Sequence, residues 1–334
     1  MIAARKAAPA IIAAIVTPIP EAQTIATGHA AADTATRLRV DFRTSPDDQL
    51  AFAFTDSSGA DFADTAVRVA CGWLAGPRAP EAWHLGEAYR AVVLEQSESG
   101  GDIAGAAQRI YADLIAQVRG SSHPYLLRIW NYLGAINVGD GDTERYRRFC
   151  VGRAAAVDAA FNDPPPAATA IGNAADAGTL QVIALCSRTP AIALENPRQT
   201  PAWSYPRDYG PVAPGFSRGA LLGAGTSSPR VLASGTASIV GHVSQHVGDV
   251  AEQLRESLRN LEALLAVGNE RSGRVFALDG CEALRVYLRH AGDLPVAQAV
   301  IEASGLPRER VLYMRGDVCR RELDVELEGV LAAS

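Results

Sequence analysis

Apolar positions along this chain follow two spacings, one helical and one alternating. Ile103, Ala106, Ile110, Leu114 and Val118 recur every three to four residues and are closed by Gly120-Ser-Ser, which predicts an amphipathic helix over 103–118. Val250, Leu254, Leu258, Leu261 and Leu265 form a second stripe, expected to end at Gly268, and 294–303 forms a third, ending at Gly305. Thr143 is a candidate cap for a further helix running towards Ala160. Short alternating or wholly apolar runs predict strands near 10–17, at 126–133, at 180–187, from Arg230 to His242, from Arg274 to Leu278, at 310–314 and at 322–327. Residues 37–55 read as a hairpin around the polar turn Arg43-Thr-Ser-Pro-Asp-Asp. The last third therefore reads strand, helix, strand, helix, strand, strand: a sheet with helices packed on one face, an α+β layer.

Two regions break these patterns. Asn162-Asp-Pro-Pro-Pro is a loop, and between Asn196 and Gly215 prolines 197, 201, 206, 211 and 214 stand among Trp203, Tyr205, Arg207, Asp208 and Tyr209. That composition continues neither a helix nor a central strand, and long irregular segments in compact domains are commonly functional loops. Near the carboxy terminus the alternation Glu322, Asp324, Glu326, Glu328 puts four acids on one strand face. Same-side neighbours on a strand lie about 7 Å apart, so such a row repels itself unless it meets solvent, cations or a site that wants a proton. One of these carboxyls is a candidate working acid; a solvated edge is the other reading.

With 334 residues, 48% of them hydrophobic, the chain buries a sizeable core as one large domain or two ordinary ones. A net charge of −6 offers no basic surface for nucleic acid or anionic lipid. Cys71, Cys150, Cys186, Cys281 and Cys319 are odd in number and include no CxxC pair, which argues against a disulfide framework or structural zinc and for a reducing cytoplasm. The start resembles a signal peptide superficially, but Pro9 and the short apolar run weaken that reading, and no run approaches the ~18 apolar residues of a membrane span. His242 and His246 stand at i,i+4 without a nearby third ligand, so no metal site is expected. Cys150 reads as a packed small residue.

From about Arg230 to Leu331 the chain resembles the small RidA/YjgF fold: a strand with Ser234-Gly235 at its tip, a helix carrying Gln253, Asn260, Leu261, Leu264 and Leu265, and a final Val-Glu-Leu-Glu strand. A larger set of motifs is more specific. Arg128-Ile-Trp-Asn-Tyr132, Glu144 to Arg153, Tyr205-Pro-Arg-Asp-Tyr209, Phe216-Ser-Arg218, Ser234 to His242 and Arg315 to Leu323 together resemble the chorismatases, over nearly the full chain. The resemblance implies a RidA/YjgF-like α+β fold duplicated in one chain, with a diverged half over 1–200, a second half over 201–334 and the active site near their junction. It implies a cofactor-free enzyme acting on chorismate, with no nucleic-acid or membrane partner, as a monomer or small homo-oligomer.

Chorismate is a dianion with two carboxylates, a 4-hydroxyl and an acid-sensitive enol ether, so its pocket needs fixed cations, hydroxyl donors and one neutral carboxylic acid. Arg147, Arg153, Arg207 and Arg218 are the cation candidates, since the guanidinium fork matches a carboxylate, with Tyr146, Tyr205, Tyr209 and Thr236 as neutral donors. Any of these arginines could instead pair with Glu144 or Asp208. The resemblance points to Glu326 as the acid that protonates the enol-ether methylene, its pKa raised by burial or by Asp324 and Glu328. It also points to Gly235 and Cys319, positions that carry alanine in chorismatases releasing a dihydroxycyclohexadiene carboxylate, as marks of the branch that makes 3-hydroxybenzoate and pyruvate. The hydrolytic branch and a non-catalytic RidA-like sensor are the alternatives, an imine deaminase a weaker one. Cys319 and Glu326 are seven residues apart, which on an unbroken strand sets them on opposite faces. Sharing a pocket requires a bulge or turn around 320–322.

Overall fold

The computed structural model describes residues 13–14, 35–41, 49–55, 67–76, 82–86, 89–158, 161, 163–173 and 178–334. Strands β1 (Ala13–Ala14), β2 (Ala35–Asp41), β3 (Gln49–Thr55), β4 (Val67–Ala75) and β5 (Ala82–Gly86) come first. A first run follows: β6 (Tyr89–Ser97), α1 (Ile103–Arg119), β7 (Tyr125–Gly134), α2 (Arg145–Ala156), β8 (Ala167–Asn173) and β9 (Thr179–Ser187). The chain crosses over through β10 (Ile192–Leu194) and β11 (Gly219–Leu222). A second run then comprises β12 (Arg230–Ala237), the small hairpin β13 (Ile239–Val240) and β14 (Val243–Ser244), α3 (Val250–Ser272), β15 (Cys281–Leu288), α4 (Leu294–Ala303), β16 (Val311–Arg315), β17 (Asp317–Val318) and β18 (Val325–Ala332).

The two runs share one topology. Neighbours in the sheets are β6-β9-β7-β8 and β12-β18-β15-β16, so each run orders its main strands first, fourth, second, third. In both, the second and third strands are parallel, joined by a crossover helix, and the fourth is antiparallel to its neighbours. This is the duplicated RidA/YjgF-like α+β layer expected from the sequence. Strand β4 pairs with β16, so the N-terminal strands β2 to β5 extend the sheet of the second run, not that of the run which follows them.

Three apolar clusters stack the layers. Ile110, Tyr111, Leu114 and Phe149 cover the outer face of the first sheet, and Leu254, Leu258, Leu261 and Ile301 cover that of the second. Between the sheets lie Trp130, Tyr132, Ile171 and Ile183 against Leu232, Tyr287, Met314 and Val330. The order is therefore helices, sheet, sheet, helices.

Several expected boundaries move. Helix α3 runs through Gly268 and stops at Gly273, whose φ of 67° closes the helix in the left-handed region. Gly268 is a packing residue: a Cβ there would stand 3.0 Å from Val231 Cγ2 and 3.3 Å from the Phe276 ring. No strand forms at 274–278; Phe276 packs instead beneath the helices, and the strand is β15, whose alternation Arg285 obscures. Thr143 sits in a 3₁₀ turn with its hydroxyl donating to Asp140 O, so Glu144 is the cap position and α2 ends at Ala156. The final strand begins at Val325, leaving Glu322 and Asp324 outside it. Strands β2 and β3 pair as a hairpin, although its turn, like most of 10–17, lies outside the described residues.

Candidate active site

The last strand alternates as a two-sided strand should. Val325 and Leu327 belong to the cluster under α3 and α4, whereas Glu326 and Glu328 oppose Tyr287 and Arg285 of β15 and face the other sheet. The carboxylate face is thus turned into the protein, and only two of the four acids lie on it. Glu322 accepts from Ser244 Oγ in the turn before the strand, and Asp324 lies 3.8 Å from Arg289 and 3.7 Å from His290.

Opposite these acids, β12 carries a bulge. Ala233 pairs with Gly329 and Thr236 with Leu327, so Ser234 and Gly235 together face Glu328. Ser234 accepts from Ala168 N and donates to Ser217 O, tying the bulge to β8 of the first layer. Gly235 then lies flat against Glu326: a Cβ on it would fall on Glu326 Oε1, 2.9 Å from Glu326 Cδ and 3.2 Å from Thr169 Cγ2.

A cavity of about 330 Å³ opens here between the layers. Its lining includes Glu326, Gly235, Cys319, Tyr146, Arg153 and Arg218 among the residues singled out above, together with Arg147, Tyr205 and Tyr209. Val318 ends β17 and a turn over 319–322 intervenes before β18, so Cys319 and Glu326 reach the same cavity. Two expected residues stay outside it. Thr236 pairs opposite Leu327, hence on the helix-facing side, and its hydroxyl donates to Ser234 O. Arg207 is exposed on the rim, held by Asp142 at 2.6 Å. Arg147 is already engaged by Glu144 at 3.0 Å, as sequence reasoning allowed.

Glu326 is 5% exposed, and its pKa is pushed up to about 8, first by burial and then by the Glu328 anion, with Arg128 and Arg218 opposing. Glu328 goes the other way. Burial opposes its charge, but Arg285, Arg128 and hydrogen bonds from Thr169 and Tyr287 hold its pKa below the ordinary carboxylate value. Asp324, expected to assist, lies outside β18 beside Arg289 and His290, and the charges that shift Glu326 are Glu328, Arg128 and Arg218. Burial raises the Cys319 thiol and the Tyr146 hydroxyl, so both are neutral donors.

Three lining guanidinium groups form no ion pair among the described residues. Arg153, 7% exposed, lies over the Tyr111 ring. Arg218 donates to Thr200 O and the Tyr205 hydroxyl, leaving a buried Nε without a partner. Arg320 donates to His242 O and Ser244 Oγ, lies 4.2 Å over the Tyr209 ring, and leaves Nη2 buried without a partner. Sequence reasoning missed Arg320, which follows Cys319 in a motif already quoted; only the turn brings it to the cavity. Among the described residues no group of three His, Cys, Asp or Glu could hold a metal ion, and no helix is long and apolar enough to cross a membrane. A buried cation set around a protonated carboxyl suits an acid-labile dianion.

Comparison with known proteins gives the same direction. Residues 75–186 match the family model described as "Chorismatase FkbO/Hyg5-like, N-terminal". A 3-hydroxybenzoate synthase of Streptomyces hygroscopicus is 36% identical over 235 residues, 68% of this chain and 69% of its own length. A chorismatase of Streptomyces rapamycinicus is 39% identical over 242 residues, 70% of this chain and 72% of its own. A chorismatase crystal structure matches with a TM-score of 0.66 at 34% identity, covering 80% of this chain and 81% of that one.

Proposed function

The chain belongs to the chorismatase family and is an enzyme, and on that premise we propose that it converts chorismate into 3-hydroxybenzoate and pyruvate. The observation that carries this reading is the raised pKa of Glu326, about 8, inside a cavity whose Arg153, Arg218 and Arg320 have no carboxylate partner among the described residues. A carboxylic acid still protonated at neutral pH is what an enol ether requires, and the three guanidinium groups suit two substrate carboxylates. Tyr146, Tyr205 and Tyr209 supply neutral donors around the same space.

In this mechanism Glu326 gives its proton to the methylene carbon, and the vinyl electron pair forms the new C–H bond. The resulting oxocarbenium ion draws electrons from the ring C–O bond. As that bond breaks, its pair becomes the ketone of pyruvate, and the substrate's own 4-hydroxyl closes on the ring carbon. The hydroxyl proton restores the Glu326 acid, and loss of a ring hydrogen with opening of the strained oxide gives the phenol. Chorismate equals 3-hydroxybenzoate plus pyruvate in atoms, so no water is consumed.

Gly235 supports this branch over hydrolysis. The absence of a Cβ lets the Glu326 carboxyl lie against the β12 backbone, where an alanine would displace it. Cys319 adds a polarizable neutral thiol beside the ring. Turnover in deuterium oxide tests the proton transfer: the pyruvate methyl gains one deuteron beyond a pyruvate control held under the same conditions. Pyruvate without that deuteron excludes protonation of the methylene carbon.

A further inference from the structure

Glu326 and Glu328 stand two residues apart on one face of β18, yet their surroundings are opposite. Both oxygens of Glu328 are occupied. Oε1 accepts from Arg285 Nη1 and from the Tyr287 hydroxyl, each at 2.7 Å, and Oε2 accepts from Thr169 Oγ1 at 2.5 Å and from Arg128. Glu326 accepts no hydrogen bond among the described residues, although it is almost as deeply buried. Thr169 lies between the two. Its hydroxyl donates to Glu328 and accepts from Arg128, which turns its methyl towards the point where a Gly235 Cβ would meet the Glu326 carboxyl.

This cluster spans both layers, with Arg128 from β7, Thr169 from β8, Arg285 and Tyr287 from β15 and Glu328 from β18. Arg128, Arg285 and Glu328 do not line the cavity, so they do not touch a ligand held in it. Their part in joining the layers does not by itself call for charge, because buried ion pairs of this kind are commonly matched or bettered by apolar residues of similar size.

We propose that Glu328, fixed as an anion by Arg128 and Arg285, is a positioning residue that keeps the proton on Glu326. The anion fixed at Glu328 opposes a second negative charge on the same strand face, and Thr169, held by that anion, offers Glu326 a methyl instead of a donor. The proposal rests on Glu326 being the general acid. The charged and titratable groups facing Glu326 are Glu328 from its own strand, Tyr287 opposite it on β15, Arg128 from β7, Arg218 from the segment before β11, Tyr146 from α2 and Cys319 from the turn after β17, with Arg153 and Arg320 lining the same cavity. Glu328 is the anion in that set; Tyr146 and Cys319 are neutral. Burial raises the Glu326 pKa most and the Glu328 anion next, in agreement with the geometry.

The test is the titration of Glu326 itself in ligand-free protein, followed by infrared spectroscopy as the protonated-carboxyl band that Glu326→Gln abolishes. Glu328→Gln removes the anion and leaves two cations, so the midpoint falls by about one pH unit or more. Arg128→Met removes a facing cation and moves it upward. The alkaline limb of kcat/KM for chorismate follows both shifts, which a purely structural role would not produce. An unchanged or raised midpoint in Glu328→Gln overturns the proposal. If Glu328→Gln does not fold, Glu326→Gln decides: a protonated-carboxyl band of Glu328 at neutral pH overturns the proposal, and an ionised Glu328 there upholds it. Absence of chorismate turnover by the unmodified chain would defeat the functional reading, while the band titration still decides the role of the cluster.

Discussion

Glu326 is a buried acid whose protonated form is stabilised at the expense of the fold. Its folded pKa, about 8, lies above the roughly 4.3 of an unfolded glutamate. Between those values the unfolded chain is ionised and the folded one protonated, so stability is fully present below the lower pKa and is lost as pH rises towards the upper one, by about 1.4 kcal/mol per pH unit. Glu326→Gln removes this dependence. Its melting temperature should exceed that of the unmodified protein by a margin that grows from pH 5 to pH 8, while turnover falls by about 10²- to 10⁴-fold with chorismate still bound; calorimetry and steady-state kinetics check both. Gly235→Ala acts on the same carboxyl. The atom it would strike is the far end of a flexible side chain, so the fold survives, but the acid moves from its seat and kcat should drop about 10²-fold. Chromatography of the products then shows whether the remainder shifts to the dihydroxy acid. At this scale the placement of Glu326 was legible through strand alternation together with resemblance, and that of Arg153 through resemblance alone. It misled where the direction of a side chain depended on a long-range pairing: Thr236 turns to the helices and Arg207 to Asp142, while Arg320 turns inward.

At the scale of elements, α3 does more than cover its sheet. Asn260, fully buried on it, donates to Ala237 O and Ile239 O at 3.1 and 2.9 Å and accepts from Arg198 at 2.8 Å, while its own carbonyl accepts from Asn196. One side chain thus fastens the end of β12 and the start of the proline-rich segment that carries Tyr205 and Tyr209. Asn260→Ala removes both of these bonds, leaving Ile239 O with Gln199 and the Arg198 guanidinium without its amide acceptor, and should cost about 1–3 kcal/mol in urea unfolding, with KM for chorismate raised more than kcat is lowered. Helix stripes were the most readable elements, because an apolar face at helical spacing records local geometry alone. Their ends were less so: Gly268 reads as a stop, yet its missing side chain serves contact with Val231 and Phe276. Strand β15 was misplaced because Arg285, a polar residue at an inward position, finds its carboxylate partner Glu328 across the sheet, which no local pattern records.

Across the whole molecule, the two layers are bound by the apolar cluster between their sheets and by the Arg128–Glu328 pair. Such a shared core predicts a single cooperative unfolding transition, with calorimetric and van't Hoff enthalpies in agreement; two resolved transitions would show the layers to be independent. The duplication was foreseen through resemblance, and the strand orders of the two sheets now carry it. The pairing of β4 with β16 was not legible, since no local pattern records which distant edge a strand will join. The cavity exists because the layers meet, and its chemistry is a property of the assembled chain. The most direct test is therefore turnover of chorismate by the purified protein in water enriched in oxygen-18, with mass analysis of both products. The account predicts one pyruvate for each 3-hydroxybenzoate, with the phenol oxygen unlabelled; a non-aromatic dihydroxy acid with solvent oxygen at the broken ether, or no pyruvate at all, would contradict it.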